Sequence, residues 1–360
     1  MVKLFYSFTM LKIGKTFVTW YEQNKRALPW REINGPYPIW ISEIILQQTR
    51  VNQGISYYYK FIKKFPDIYT LANAPIEEVL KIWQGLGYYS RARNMHYAAQ
   101  QVINHYQGKF PANFQELLKL KGIGEYTAAA IASIAFNIPE PALDGNVYRV
   151  LSRLYGIAES PQKANGKKIF KQKAFELIKN QPPGIFNQAL MEFGALQCIP
   201  KNPDCHQCVL QKSCFAFQNK LVTELPLKRT KISQRIRYIN YLYIQYQNRI
   251  FIEQRKKNDI WKLLYQLPMI ETNEPVSIEN LTNQPLWKKV FKGTKVKIQH
   301  ISKEKIHHLS HQKLFAKFYS IKIDHPNSYL LKNYIEISTE DIEKYSIPKL
   351  IENFLKKINN

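Results

Sequence analysis

Cys198, Cys205, Cys208 and Cys214 are separated by six, two and five residues and are the only cysteines in the chain. Four thiolates in so short a span form a metal-ligand set, because Cys₄ groups hold iron-sulfur clusters and structural zinc. Two disulfides are a further alternative, although a chain of 360 residues can bury a core without such staples. The six-residue first gap is long for a zinc knuckle, and no histidine pair follows at finger spacing. Glu43 is a lone carboxyl among Ile41, Ile44, Ile45 and Leu46. Buried in such a run it is costly to ionise, so its pKa should rise. Asp144 stands before Gly145-Asn146, a place where Asp is also a favoured helix N-cap. Leu120-Lys121-Gly122-Ile123-Gly124-Glu125-Tyr126 has the pattern of a helix-hairpin-helix. Gly122 and Gly124 permit a tight turn. The Ala-rich segment after them starts a helix whose free amides can face a phosphate without reading base sequence. An ordinary helix-helix turn is the alternative.

Helices must carry most of these groups. Apolar residues recur at helical spacing over 11–24, 41–64, 75–84, 91–106, 146–155, 166–180 and 185–196, and 114–135 reads as two short helices broken at the glycines. Pro29, Pro36, Pro66, Gly85, Gly87, Pro111, Pro139 and Pro182-Pro183 punctuate them. Residues 1–225 therefore form a mainly α region. Residues 226–235 are polar and basic and serve as a linker. From 236 to 360 the texture changes, with strand composition over Tyr238–Ile252 and again over Phe315–Ile323, giving a second, α+β domain.

The net charge is +25. Residues 1–225 hold 27 basic and 15 acidic side chains, and residues 226–360 hold 25 and 12, so both regions are basic rather than one tail. A polyanion is the expected partner, against the alternative that an AT-biased source inflates lysine. No apolar stretch approaches a membrane span. The N-terminus lacks a signal-peptide cleavage site, Met10 offers an internal start, and reduced cysteine ligands place the chain in the cytoplasm.

The hairpin, then Leu143-Asp144-Gly145-Asn146-Val147, then four cysteines at this spacing, in this order, resemble the base-excision DNA glycosylases. Within that group the chain is similar to the adenine DNA glycosylase (MutY) family over roughly residues 12–225. Leu28-Pro29-Trp30-Arg31 looks like its adenine-pocket loop and Trp40–Thr49 like its catalytic helix. Gly85–Asn94 looks like its DNA-wedge loop, and Phe186–Gly194 leads into the cysteine loop. The resemblance implies a helix-hairpin-helix glycosylase fold of two helical subdomains with a 4Fe-4S cluster on Cys198, Cys205, Cys208 and Cys214. It implies that a monomer removes adenine opposite 8-oxoguanine or guanine in double-stranded DNA after flipping it out. Glu43 would be the general acid protonating the five-membered ring, and Asp144 the charge that stabilises the oxocarbenium-like sugar, as in glycoside hydrolysis. Asn146 and Tyr126 would orient the carboxylate or the water. Arg26, Leu28, Trp30, Arg31, Leu46 and Gln188 would line the adenine pocket; some family members carry Glu at the last position. Gln48, Thr49, Leu86 and Tyr88 would enter the stack beside the opposing base, with Gly122 and Gly124 on the backbone. Lys201 and Lys212 would bring the cysteine loop to DNA.

The related endonuclease III group uses a lysine as Schiff-base nucleophile where this chain has Tyr126, and a phenol forms no imine. That weighs against a bifunctional glycosylase/lyase, and a non-catalytic cluster protein that only binds DNA is a third reading. In the second domain, Trp261–Pro268 looks like a Nudix-like strand and turn, but the glutamate-rich Nudix box is absent, so no nucleotide hydrolysis is expected. The family's 8-oxoguanine loop reads Phe-Ser-His. Here it is His308-Leu309-Ser310-His311, which keeps Ser310 and His311 and makes any wedging there apolar.

Overall fold

The computed structural model describes residues 2–33, 35–227 and 233–358, with side chains from residue 11. Half of the expected linker, residues 228–232, lies outside the described residues. The chain divides into two compact units, Met1–Ala74 with Asn94–Thr230, and Pro75–Arg93 with Lys231–Asn360.

The first unit is helical. One core gathers Phe17, Trp20, Val150, Leu154, Phe170, Leu177, Phe186 and Phe193 from the helices Val2–Asn24, Gly145–Tyr155, Ala164–Ile178 and Pro183–Leu196. Phe17 and Trp20 meet Phe193 edge-on at 5.0 and 4.9 Å, a favoured aromatic arrangement. Elsewhere the helix Pro36–Leu46 packs on Glu125–Phe136. Both are apolar nearly all round, with eight and seven buried residues, which is why they run through the interior rather than along the surface.

The periodicity over 41–64 predicts one helix, and here the structure differs. Pro36–Leu46 ends, Gln48 takes a left-handed backbone (φ 57°), and a new helix runs Val51–Lys64. Gln48 and Thr49 therefore sit on a break between helices.

The second unit holds eight strands among its described residues: β1 (Arg235–Tyr246), β2 (Arg249–Gln254), β3 (Tyr265–Gln266), β4 (Met269–Thr272), β5 (Val296–Ile301), β6 (Lys305–His308), β7 (Gln312–Ile323) and β8 (Ile335–Ser338). The Tyr238–Ile252 run is thus a hairpin of β1 and β2 turning at Gln247, whose φ is 50°. β1 and β7 lie parallel at the centre over eleven residue pairs, and the other pairings are antiparallel. One face of the sheet buries Ile239, Tyr241, Phe318, Ile351 and Phe354, and the other buries Leu242, Ile244, Trp287 and Tyr319. The helix Ile76–Ile82 and the loop after it belong here. Lys81 Nζ donates to the Tyr345 carbonyl at 3.2 Å, and the Ile347 amide donates to Gln84 Oε1 at 3.3 Å.

Candidate active site

Glu43 lies on the buried helix Pro36–Leu46 and is 8% exposed. Burial pushes its pKa up to about 7, against a hydrogen bond that the Tyr126 hydroxyl donates to Oε2 at 2.6 Å. Burial also raises the Tyr126 phenol well above its usual range, so it remains a neutral donor. Tyr126 is the second residue of the helix that Gly124 opens.

Asp144 caps the helix Gly145–Tyr155, accepting from the Val147 amide at 2.7 Å and from Asn146 Nδ2 at 2.9 Å. Burial raises its pKa, while the amides of Val147 and Asn146, the Asn146 side chain and the Arg149 charge oppose the rise. Of the two carboxyls, Asp144 is therefore the one equipped to hold a negative charge. Its N-cap geometry and its position beside Glu43's cavity coexist.

One cavity of about 550 Å³, a size suited to a small organic ligand, is lined by twelve of the residues singled out above. They are the four expected at the chemical step, the six expected around adenine, and Gln48 with Thr49. The polar wiring of this wall adds a residue the sequence reading left out. Glu192, 2% exposed, accepts from Arg26 Nε and Nη2 at 2.8 and 2.7 Å and from Arg31 Nη2 at 2.9 Å. Burial raises its pKa, but the Arg26 and Arg31 hydrogen bonds outweigh it and hold the carboxyl at about 2. Arg26 and Arg31 are thus clamped to a carboxylate. Gln188 accepts from the Tyr21 hydroxyl at 3.2 Å, and Trp30 meets Tyr58 edge-on at 5.4 Å.

In the hairpin the two glycines do different work. Gly122 has φ +81°, and a Cβ there would come within 2.7 Å of Asn94 Cβ. Gly124 has an ordinary φ of −92° and open space around it. The backbone does not require glycine at the second position. It leaves room at a helix start that has no side-chain cap.

The four cysteines are free thiols, half-buried around one pocket with Val150, Leu154, Phe193 and Leu210, so the disulfide alternative is not realised. Arg149 and Arg153 fasten their loop. Arg149 Nε donates to the Cys198 carbonyl at 2.8 Å, and Arg153 donates to the carbonyls of Ile199 and Pro200 at 2.8 and 3.1 Å. Arg149 also reaches the other way, to Asn146 Oδ1 at 2.9 Å. A hydrogen-bonded chain therefore runs Asp144–Asn146–Arg149–Cys198. Gly194 lets it close, since a Cβ there would lie 2.7 Å from Asn146 Cβ.

Comparison with known proteins fits this geometry. Residues 41–175 match the HhH-GPD superfamily of base excision DNA repair proteins, and residues 240–357 match the NUDIX domain. The chain is 39% identical to the adenine DNA glycosylase of Buchnera aphidicola subsp. Baizongia pistaciae (strain Bp) over 85% of each chain. It is 35% identical to the one from Buchnera aphidicola subsp. Acyrthosiphon pisum (strain APS), over 95% of this chain and 97% of that one. The chain belongs to the adenine DNA glycosylase family. Among solved structures, a thermostable thymine-DNA glycosylase superposes with a TM-score of 0.55 at 30% identity, covering 59% of this chain and 98% of that one. The expected architecture, a helix-hairpin-helix glycosylase region followed by a Nudix-like domain, is the one found.

The second unit of this family member carries the other residues expected at the opposing base. Leu86 is buried, whereas Tyr88 is 46% exposed, with a left-handed backbone between Gly87 and Ser90. Arg91 sits 5.6 Å from the Tyr88 ring centre and donates to the Gly87 carbonyl at 3.1 Å. Ser310 and His311 lie in the turn between β6 and β7, closed by the Leu309 amide donating to the Gln312 carbonyl at 2.8 Å. Both are exposed, and the Tyr88 hydroxyl and Ser310 Oγ share a hydrogen bond. Leu309 is turned into the sheet's core. No helix among the described residues is long and apolar enough to cross a membrane.

Proposed function

We propose that the chain is a monofunctional, monomeric glycosylase that hydrolyses the bond between adenine and deoxyribose where adenine faces 8-oxoguanine or guanine in duplex DNA. The observation that carries this is the pairing of two unlike carboxyls in one cavity, Glu43 with a pKa of about 7 and Asp144 held by donors. Burial raises both carboxyls, but at Asp144 the amides of Val147 and Asn146, the Asn146 side chain and the Arg149 charge oppose the rise, which casts Glu43 as the acid and Asp144 as the charge stabiliser. Glu43 delivers its proton to the five-membered ring as the C–N bond breaks and the bonding pair leaves with the base. Asp144 faces the sugar's developing positive charge. Water then adds to the sugar carbon and loses a proton. Tyr126 hydrogen-bonds Glu43 and offers no amine for a Schiff base. A flipped adenine enters between Trp30, Leu28, Leu46 and Gln188, with Arg26 and Arg31 fixed by Glu192 at its edge.

The donor set at Cys198, Cys205, Cys208 and Cys214 fits a 4Fe-4S cluster. Four thiols wall one pocket, which is the donor type and number that such a cluster takes. When bound, the cluster supplies a rigid anchor for its loop. Gly122, Gly124 and the first turn of Glu125–Phe136 grip the DNA backbone. Gln48, Thr49, Leu86, Tyr88, Ser310 and His311 attend the opposing base, and the activity belongs to the cytoplasm, at the chromosome. The test is release of free adenine from a duplex with adenine opposite 8-oxoguanine. Release without strand cleavage or borohydride-trapped adduct is the expected result. An inactive, cluster-loaded protein would overturn the reading.

A further inference from the structure

Two bulky residues of the second unit hold a backbone that side chains avoid. Trp261 has φ 59° and Leu263 has φ 68°. Each such position is strained for a residue with a side chain and persists only where its surroundings impose it. Here the surroundings are explicit. The turn 260–264 wraps the buried Arg255, which donates through Nε to the Ile260 carbonyl at 2.9 Å and accepts at its own carbonyl from the Leu263 amide at 2.8 Å. The Leu264 amide closes onto the Trp261 carbonyl at 3.0 Å.

The turn then reaches two elements that carry lesion-side residues. Arg93 Nη1, five residues beyond Tyr88, donates to the Lys262 carbonyl at 2.9 Å. The Trp261 ring lies 5.8 Å from the His307 ring on β6, three residues before Ser310. Tyr88 and Ser310 meet through their hydroxyls. A closed circuit results: the strained turn, Arg93, the wedge loop, Tyr88, Ser310, β6, His307, and back to Trp261.

We propose that Trp261 is a positioning residue for discrimination of the base opposite adenine, acting through His307 on the Ser310 turn and supported through Lys262 on the wedge loop. The inference rests on the reading that Ser310 and Tyr88 attend that base, and goes beyond it by naming what sets their register. The turn aims an indole sideways at β6 while the next carbonyl accepts from Arg93.

The test measures single-turnover adenine release from two duplexes, adenine opposite 8-oxoguanine and adenine opposite guanine, and takes their ratio. Trp261→Ala is expected to lower the ratio about tenfold, the scale of a misplaced contact group, while the rate opposite guanine stays within about twofold. Trp261→Phe keeps a ring against His307 and should restore most of the ratio. His307→Ala should reproduce the loss, and decides the matter if Trp261→Ala fails to fold. Rates that fall together, or a ratio unchanged in His307→Ala, would overturn the proposal. A wild-type protein with no preference for 8-oxoguanine would instead overturn the reading on which it rests.

Discussion

Glu43→Gln tests burial and chemistry with one substitution. The carboxyl's ordinary value is 4.5, and burial lifts it to about 7 in spite of the Tyr126 hydrogen bond. At about 1.4 kcal/mol per pKa unit, that difference corresponds to about 3 kcal/mol. The sign follows from linkage. A folded-state pKa raised above the unfolded value means that the folded protein binds the proton more tightly. The resulting stability is fully present below pH 4.5 and is lost as pH rises through 7, above which the buried carboxylate carries the whole cost. Glutamine has nearly the same shape, stays neutral, and can still accept from Tyr126. The variant should match the wild type in stability near pH 4.5 and exceed it by about 3 kcal/mol at pH 8.5. Urea unfolding of both proteins at both pH values, followed by tryptophan emission, reads this as a difference of differences, in which other titrating groups cancel. The same substitution removes the proposed acid, so single-turnover adenine release should fall about 10²–10⁴-fold. The wild-type rate should itself decline with a midpoint near pH 7. A stability gain equal at both pH values would refute the buried-carboxyl argument. Adenine release at the wild-type rate would refute the catalytic one.

Glu192→Gln leaves Arg26 and Arg31 without their carboxylate. Because Arg26 is 35% exposed and Arg31 15%, the loss should be about 2 kcal/mol rather than the larger cost of a fully buried pair. The depressed pKa means that this contribution is present above pH 4.5 and disappears as pH falls through 2, so unfolding at pH 7 should separate the proteins and unfolding near pH 2 should not. Arg149→Met cuts the link between Asp144's partner Asn146 and the Cys198 carbonyl; adenine release should fall about 100-fold at unchanged iron and sulfide content, measured together on one preparation. Gly122→Ala, at φ +81° and 2.7 Å from Asn94 Cβ, should destabilise by about 1–3 kcal/mol in denaturant titration. Gly124→Ala, with room for its methyl, should leave stability intact but weaken duplex binding and flatten its salt dependence in anisotropy titrations.

Glu43 was legible because a single carboxyl interrupts an apolar run, and the cost of ionising it follows from the residue types alone. The same signal stood at Glu192, between Leu190-Met191 and Phe193, and the rule that found one would have found the other. What the sequence could not give was the outcome. Glu43 meets one phenol and rises to about 7; Glu192 meets two guanidiniums and falls to about 2. Partners from positions 166 and 161 residues away decide the second value. The break at Gln48 was hidden for a related reason. Neither glycine nor proline marks it, so periodicity ran on through the kink. The grouping of 75–93 with the sheet depends on side chains such as Lys81 and Gln84 finding partners beyond position 340, which no local pattern announces. By contrast the strand texture of 236–360 was readable, since alternation and β-branched content are properties of each strand by itself.

The cysteine loop and the Asp144 carboxyl are joined by a backbone carbonyl and planar side chains rather than by any shared chemistry. Arg149 is 8% exposed and spends three hydrogen bonds, to Gly194, Cys198 and Asn146. A guanidinium so placed has little freedom of its own, and its planar fork fixes the angle between the groups it holds. Asn146 then presents one amide nitrogen to Asp144 while its oxygen is taken by Arg149, which settles the orientation of an otherwise ambiguous amide. Asp144 receives a second fixed donor from the Val147 amide. The Asp144 carboxylate, proposed to face the sugar, is therefore held by a hydrogen-bonded ladder whose far end is the loop that carries the four thiols. A carboxylate free to rotate would split its time between capping its helix and facing the sugar. Here the capping carboxylate also lines the cavity, and Arg149, bonded to the Cys198 carbonyl, holds the Asn146 amide that donates to it.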